Sequence, residues 1–132
     1  MMNDEKVTFK LPKYIKHKEA RKTICNVVRH LNEAGVLTYS DIPQLHRMAT
    51  AYDMCLSCLD VISEKGMTMT NLKGEVVKRP ETNLLRENWS QYLEIAKEYG
   101  LTTKSRGQIK SMQPADEDSP LDMFIKDKKE TR

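Results

Sequence analysis

The sequence predicts a mainly α-helical protein: a long antiparallel helical hairpin, a third helix, a small β-hairpin and a short basic helix. Three observations predict this fold class. Apolar side chains recur at the three-and-four spacing of an amphipathic helix along three separate stretches. Each stretch ends beside a glycine, the residue that most easily adopts the left-handed turn after a helix. Between the second and third stretches lies a short Thr- and Val-rich segment with hairpin composition.

Length and composition indicate one intracellular domain. A chain of 132 residues can bury one modest hydrophobic core. No apolar run is long enough to span a membrane, and residues 1–10 lack the apolar core of a signal peptide. We therefore predict a cytoplasmic protein without a membrane partner. The three cysteines are an odd number, which favours reduced thiols over a disulfide framework.

The first part of the chain predicts an arm followed by a long helix. Residues 1–12 are interpreted as a flexible N-terminal arm, whose alternating Val7, Phe9 and Leu11 can add a strand to a neighbour; a frayed terminus is the simpler interpretation. The helical domain is predicted over residues 13–112. Its first helix is expected from about Pro12 to Ala34, with a buried stripe made by Ile24, Val27, Val28 and Leu31.

The second helix is predicted to start at a capping box and to run to Gly66. Thr38 and Asp41 have the spacing of that motif, with Asp in the position usually held by Glu. Together with the first helix it makes an antiparallel helical hairpin. A DNA-reading helix-turn-helix is the rival interpretation, since Gly35 sits in the turn. However, a recognition helix exposes polar groups for base edges, whereas this one carries a long apolar stripe and net negative charge.

A β-hairpin and a third helix follow. Residues 67–79 have Thr and Val on either side of a four-residue turn at residues 71–74. Lys73, Lys78 and Arg79 make this hairpin a second candidate for phosphate contact, and a solvated turn is the simpler interpretation. Pro80 is predicted to open the third helix, with Glu81 close to its positive end.

The third helix is predicted to end by presenting a short cationic helix. Its dry face is expected at Leu85, Trp89, Tyr92, Ala96 and Tyr99. Gly100 then supplies the stop, and Thr102 can cap the next helix with its hydroxyl. That next helix, residues 103–112, carries three cationic side chains and no acid.

The junction between these two helices resembles the small subunits of phage terminases. The residues that carry the resemblance are Tyr99-Gly100-Leu101-Thr102 followed by Ser105-Arg106. The upstream order agrees: two helices around Ala-Gly-Val-Leu-Thr at residues 34–38, a hairpin-like stretch, and then this helix. In the family the residue after the capping Thr is very often Pro, whereas here it is Thr103. The resemblance covers residues 13–112.

Positive charge is segregated along the chain, as a phosphate-binding surface requires. Residues 1–30 hold eight Lys or Arg against three Asp or Glu, whereas residues 31–65 hold two against five. Ordinary solvated helices also show such segregation, so charge alone does not decide. We predict DNA contacts by two groups of side chains: Lys16, Lys18, Arg21 and Lys22, and then Lys104, Arg106 and Lys110.

The resemblance implies a ring-forming, non-catalytic subunit that recognises viral DNA for packaging and recruits the large ATPase-nuclease subunit. Contacts between copies are predicted on the second helix at Tyr52, Leu56 and Leu59, and on the hairpin. Residues 113–132 are interpreted as a disordered tail, whose apolar island at Leu121, Phe124 and Ile125 is a candidate for docking the large subunit. Two alternatives stay open: a small dimeric DNA-binding transcriptional regulator, and a helical protein–protein adaptor.

No pattern in the sequence supports catalysis or a cofactor. There is no Gly-rich phosphate loop, no Gly-x-Ser-x-Gly and no His-Glu-x-x-His. Cys55 and Cys58 form a single C-x-x-C, which falls on the apolar stripe of the second helix; a strong zinc signal needs a second pair or close histidines. We interpret both as small buried hydrophobic residues. The three histidines are predicted to be surface or boundary residues.

Overall fold

The computed structural model describes residues 6–112, with side chains described through residue 107, and it confirms the mainly α-helical fold class. A 3₁₀ turn at Tyr39–Asp41 precedes the second helix. Within the described part of the chain, no helix is both long and apolar enough to cross a membrane. The elements in chain order are α1 (Lys18–Glu33), α2 (Ile42–Lys65), β1 (Thr68–Thr70), β2 (Val76–Lys78), α3 (Pro80–Glu98) and α4 (Thr103–Met112).

Helix α2 is the centre of the fold, because it packs on α1 and, most extensively, on α3. The start of α1 lies beside Asp53 at the middle of α2 and Asp60 in its second half, and the end of α3 lies beside Asp41 just before α2. Both neighbours therefore run antiparallel to α2. Because α1 and α3 cover two sides of α2, α2 does not have the exposed position of a recognition helix in a helix-turn-helix. The largest fully buried side chains are Ile15, Ile24, Leu45, Met48 and Cys55.

The predicted helix ends are formed by the expected local interactions. Thr38 and Asp41 make the capping box, although it caps the 3₁₀ turn before α2 rather than α2 itself: the Asp41 carboxylate accepts the Thr38 backbone N–H at 2.9 Å. Gly100 has a φ of 68°, in the left-handed region. That turn lets the Leu101 N–H reach back to the carbonyl of Ala96 at 2.9 Å, which satisfies a carbonyl at the end of α3.

The β-hairpin has the predicted position and a well-closed turn. Met69 pairs with Val77 at the centre of the antiparallel ladder. Asn71 organises the turn, because its side-chain oxygen accepts the backbone N–H groups of Lys73 at 3.0 Å and Glu75 at 2.9 Å. Gly74, at a φ of 79°, donates its N–H to the Asn71 carbonyl at 3.0 Å. The two strands pair with each other and have no extensive packing on any described helix.

The prediction of a frayed arm is wrong for the residues that the structure describes. Val7 is only 6% exposed and joins the core. Its backbone N–H and C=O both bond the side-chain amide of Asn32, each at 2.9 Å. The imidazole of His46 lies 3.0 Å from the carbonyl of Lys10 and its ring packs against Phe9. The extended segment is held by long-range contacts of this kind, which local sequence does not reveal.

Long-range contacts also move the start of the first helix from the predicted Pro12 to Lys18. Ile15, before this start, is only 2% exposed. The backbone N–H groups of Lys16 and His17 are taken by a carboxylate of α2, and the carbonyls of Pro12 and Ile15 are taken by Arg21. With these groups bonded outside the helical ladder, the segment stays non-helical up to His17, with a turn at residues 13–14.

Candidate nucleic-acid interface

The first predicted cationic group lies where the extended segment enters α1. Lys16, Lys18 and Lys22 are exposed there. Lys13 in the preceding segment is also exposed, so it extends the same surface beyond the predicted DNA ligands. A row of lysines on a fixed backbone is the arrangement that contacts successive phosphates of a duplex.

Histidine 17 fixes this surface to α2. Its Nδ1 lies 2.7 Å from Asp53 and its Nε2 lies 2.8 Å from Asp60. Asp53 is only 5% exposed, and its Oδ1 also accepts the backbone N–H groups of His17 at 2.9 Å and of Lys16 at 3.2 Å. Because both ring nitrogens face carboxylates, the site favours the protonated imidazolium, which can donate at both ends. These two ring contacts and two backbone hydrogen bonds together fix the entry into α1 against α2.

These contacts shift the pKa values of the partners in opposite directions. The hydrogen bonds to Asp60 and then to Asp53 raise the pKa of His17 above its usual 6.5. Burial opposes ionisation of Asp53, but the hydrogen bonds from the backbone and ring of His17 outweigh it and lower the pKa of that carboxyl below its usual 3.8. The sequence carried one signal for this site: Asp53 and Asp60 are seven residues apart, so they share a face of α2.

The pinned entry should make stability depend on pH. Since the folded state raises the pKa of His17, the contribution of this residue to the free energy of unfolding is full below pH 6.5. It is lost as the pH rises through the raised pKa. The contribution of Asp53 to the free energy of unfolding is present above pH 3.8 and is lost as the pH falls through the lowered pKa. We expect His17→Gln to lower the melting temperature more at about pH 5.5 than at about pH 8.5. Equal decreases in melting temperature at both pH values would contradict this expectation. The variant Asp60→Asn should weaken the pH dependence of the melting temperature without abolishing it.

Arg21 differs from its lysine neighbours because its guanidinium is already engaged. Nε donates to the carbonyl of Ile15 at 2.9 Å, and Nη2 lies 3.3 Å from the carbonyl of Pro12 and 3.5 Å from that of Lys13. These bonds give Arg21 a second role beside the predicted phosphate contact, which stays a prediction. The side chain fastens the extended segment to α1 and so positions the lysines on either side.

A matched pair of variants separates these two roles. Arg21→Gln and Lys22→Gln remove the same charge from adjacent positions of α1. We expect Arg21→Gln to lower the free energy of unfolding by about 1.5 kcal/mol, because charge-assisted hydrogen bonds are lost. Lys22→Gln, at an exposed position, should change it by less than about 0.5 kcal/mol. Urea unfolding of both variants tests this, and equal stabilities would show that the Arg21 contacts do not hold the segment.

The second predicted cationic group begins at a well-capped helix end. Thr102 and Ser105 cap α4 reciprocally: each side-chain oxygen accepts the other residue's backbone N–H at 3.1 Å. Ser105 is buried, whereas Lys104 and Arg106 are exposed. The guanidinium of Arg106 lies 3.3 Å from the Thr103 hydroxyl and 3.5 Å from the Leu101 carbonyl. Lys110 lies in α4 but beyond the residues whose side chains are described.

The two cationic groups do not merge into one surface within a single chain. The first group lies beside Asp53 and Asp60 of α2. The second follows α3, whose last turn is bonded to Asp41 through the Tyr99 hydroxyl at 2.9 Å. Asp41 and Asp53 are twelve residues apart, or about 18 Å along a helix axis. A duplex that contacts both groups must span this separation or touch different copies of the chain.

The residues predicted for subunit contacts are less available than expected. The Tyr52 hydroxyl donates to Glu19 at 3.2 Å, and its ring packs against Trp89 and Tyr92 with centroid distances of 5.8 and 5.2 Å. Leu56 packs on the core, and Leu59 keeps a substantial exposed area. The predicted docking residues Leu121, Phe124 and Ile125 lie outside the described residues.

The cysteine pair has the environment of core residues. Cys55 and Cys58 are both buried, and burial raises the pKa of the Cys55 thiol to about 11 and that of Cys58 above its usual value. Thiols at such pKa values are protonated and unreactive near neutral pH. Among the described residues, no cluster of three or more His, Cys, Asp or Glu side chains is arranged to hold a metal ion.

The fold and this site define a class of protein: a small helical domain that presents separate cationic surfaces from capped and pinned helix ends. The family model described as "Phage terminase, small subunit" matches residues 20–116, which is more than half of the chain. The chain therefore belongs to the phage terminase small-subunit family, which places its role in phage genome packaging. Small terminase subunits are generally the non-catalytic partner. Searches of curated proteins and of solved structures gave no match.

Proposed function

We propose that this chain is the DNA-recognition subunit of a viral packaging terminase. It binds the packaging site on viral DNA as an oligomeric ring in the cytoplasm of the host cell. It also recruits and regulates the large subunit, which supplies the ATPase and nuclease activities. The observation that carries the proposal is the row of exposed lysines at the entry into α1, held rigid by the Asp53 and Arg21 contacts, in a chain of this family.

A ring gives a weak cationic surface useful affinity. Each copy offers few phosphate contacts, and repeating them around an assembly raises avidity without a large base-reading surface. Pre-ordering helps for the same reason, since lysines on a fixed backbone lose less conformational freedom on binding. The proposed DNA ligands are Lys16, Lys18 and Lys22 from the first group, and Lys104, Arg106 and Lys110 from the second, with Arg21 as a positioning residue.

The remaining surfaces are assigned to protein partners. On α2, Leu59 is proposed to contact a neighbouring copy, with Tyr52 and Leu56 supporting that face from the core side. The island at Leu121, Phe124 and Ile125 is proposed to dock the large subunit. Loss of large-subunit binding on deletion of residues 113–132 would support that assignment, and unchanged binding would dispose of it.

Charge reversal of the first lysine group should weaken DNA binding strongly. We expect Lys16→Glu, Lys18→Glu and Lys22→Glu together to reduce affinity for duplex DNA about 100-fold and to reduce the slope of log K against log salt by about 3. Fluorescence anisotropy over a range of salt concentrations measures both quantities. Arg86→Glu, an exposed cation on α3, is the control that should change neither by more than about twofold.

The outcomes also separate the alternatives. Unchanged affinity and salt slope in the triple variant would remove the first lysine group from the interface, and the same test on Lys104→Glu with Arg106→Glu then decides the second. A two-fold assembly that binds a short palindrome tightly would favour a dimeric regulator. A chain that ignores DNA at moderate salt would favour a helical adaptor.

A further inference from the structure

The β-hairpin is an ordered element that nothing in the described chain covers. Leu72 at its tip is 108% exposed, and Val76 and Met67 are 74% and 67% exposed. Its base is nonetheless fixed, because the Arg79 guanidinium donates to the carbonyls of Gly66 at 2.9 Å and of Lys65 and Thr68 at 3.1 Å. An isolated two-stranded hairpin is only marginally stable in water. A preformed and apolar hairpin of this kind is suited to insertion into a partner.

The chemistry of the hairpin describes the partner that it fits. Its side chains present apolar area together with Lys73 and Lys78, against the single acid Glu75. A duplex would satisfy the lysines but would leave most of the apolar area uncovered. A protein groove with an apolar floor and an acidic rim satisfies both features.

Such a groove lies at the opposite end of α2. It has a volume of about 410 Å³ and is formed between the first turns of α2 and the last turns of α3. Ile95 and Tyr99 supply the apolar part of a mostly polar lining, and Glu94 and Glu98 are exposed on the rim with Asp41. Arg47, the cation of the lining, is engaged: with the Gln91 amide turned so that its oxygen faces the guanidinium, that oxygen accepts at 2.9 and 2.6 Å. Three carboxylates (Asp41, Glu94 and Glu98) against this one cation leave the lining net acidic.

We propose that the hairpin of one chain docks in the α2–α3 groove of a second copy. The hairpin leaves the C-terminal end of α2, whereas the groove lies at its N-terminal end, and 24 helical residues span about 36 Å. The two surfaces of one chain therefore cannot meet each other, but those of successive copies can. A contact between two different surfaces is heterologous, so it repeats head to tail and closes into a ring when the rotation between copies allows. This inference rests on the proposed ring and names the surfaces that build it.

The test uses the full chain and its native mass over a range of concentrations, by light scattering or native mass spectrometry. Leu72→Asp is expected to raise the concentration needed for assembly at least tenfold, since it places a charge against the acidic rim. Met54→Asp is the matched control: it adds the same charge at an exposed apolar position of α2 outside both surfaces, and assembly should be unchanged. Because Leu72 and Met54 are both exposed, circular dichroism should show native helix content in each variant.

A charge exchange then tests whether the two surfaces face each other. Lys73→Glu alone should weaken assembly, and adding Glu94→Lys with Glu98→Lys to the same chain should restore it.

Failure of the exchange to restore assembly, or an assembled Leu72→Asp protein, would overturn the docking while leaving the ring intact. Intact assembly with lost DNA affinity would instead make the hairpin a DNA contact. A wild-type chain that stays monomeric would overturn both ring and docking. A ring that assembles but does not bind DNA would contradict only the proposed function.

Discussion

Replacing Asp53 with alanine is expected to lower the free energy of unfolding by about 3 kcal/mol. The side chain is only 7% exposed, and one of its oxygens lies 2.7 Å from the His17 ring and accepts from the backbone N–H groups of His17 and Lys16. Its removal leaves these donors without a partner close to the core and leaves the imidazolium with one exposed carboxylate. Unpaired buried donors cost more than the average hydrogen bond contributes, which is why the effect is large.

Asp60→Ala is the matched control for this effect. Its carboxylate bonds the other nitrogen of the same ring at 2.8 Å, but its side chain is 72% exposed, so water replaces the lost contact. We expect a loss of about 0.5 kcal/mol there. Urea unfolding monitored by circular dichroism measures both variants. Equal losses at the two positions would contradict the anchoring role of Asp53. A lower DNA affinity of the still-folded Asp53→Ala protein would show in addition that the anchor orders the lysine surface.

Shortening Met48 to alanine is expected to cost a similar amount, about 3 kcal/mol. Met48 is fully buried in α2. Deleting its side chain removes apolar area from the core and leaves a cavity that neighbouring helices fill only in part. The helix itself should tolerate the change, because alanine has the highest helix propensity. The loss therefore reports tertiary packing rather than local structure.

Met54→Ala, in the same helix, provides the comparison. Met54 is 48% exposed, so its truncation should change the free energy of unfolding by less than about 0.5 kcal/mol. Chemical denaturation at low protein concentration keeps subunit association from contributing to either value. A Met48→Ala protein as stable as Met54→Ala would mean that the α2 faces are assigned wrongly.

Local sequence predicted most ends of the elements, although not the start of α1. The Thr38–Asp41 capping box, the turn at Gly100 and the Thr102 cap of α4 all form as expected. Each depends on residues within a few positions of one another, so the sequence already contains the interacting partners. The order of the elements also allowed the resemblance to small terminases, which the family match over residues 20–116 confirms.

The candidate site was predicted only in outline. The lysines could be named from their charge, but the engagement of Arg21 with carbonyls of the preceding segment depends on how that segment folds back. The anchoring of His17 by Asp53 joins residues 36 positions apart. Periodicity likewise assigned Trp89 to a dry face, although it lies at the edge of the α2–α3 contact and is 38% exposed. Local patterns do not encode which side of a stripe a neighbour covers.

By itself, then, the sequence determined the helical class, most of the helix ends, the hairpin and the segregation of positive charge, because each arises from spacing and capping along a few turns of chain. Tertiary structure alone decided that α2 lies between α1 and α3, that residues 7–15 pack along the core, and that Asp53 fixes the cationic entry into α1. These features depend on contacts between distant residues. Burial, and the desolvation of an ionised group that goes with it, is defined only once those distant parts of the chain have come together.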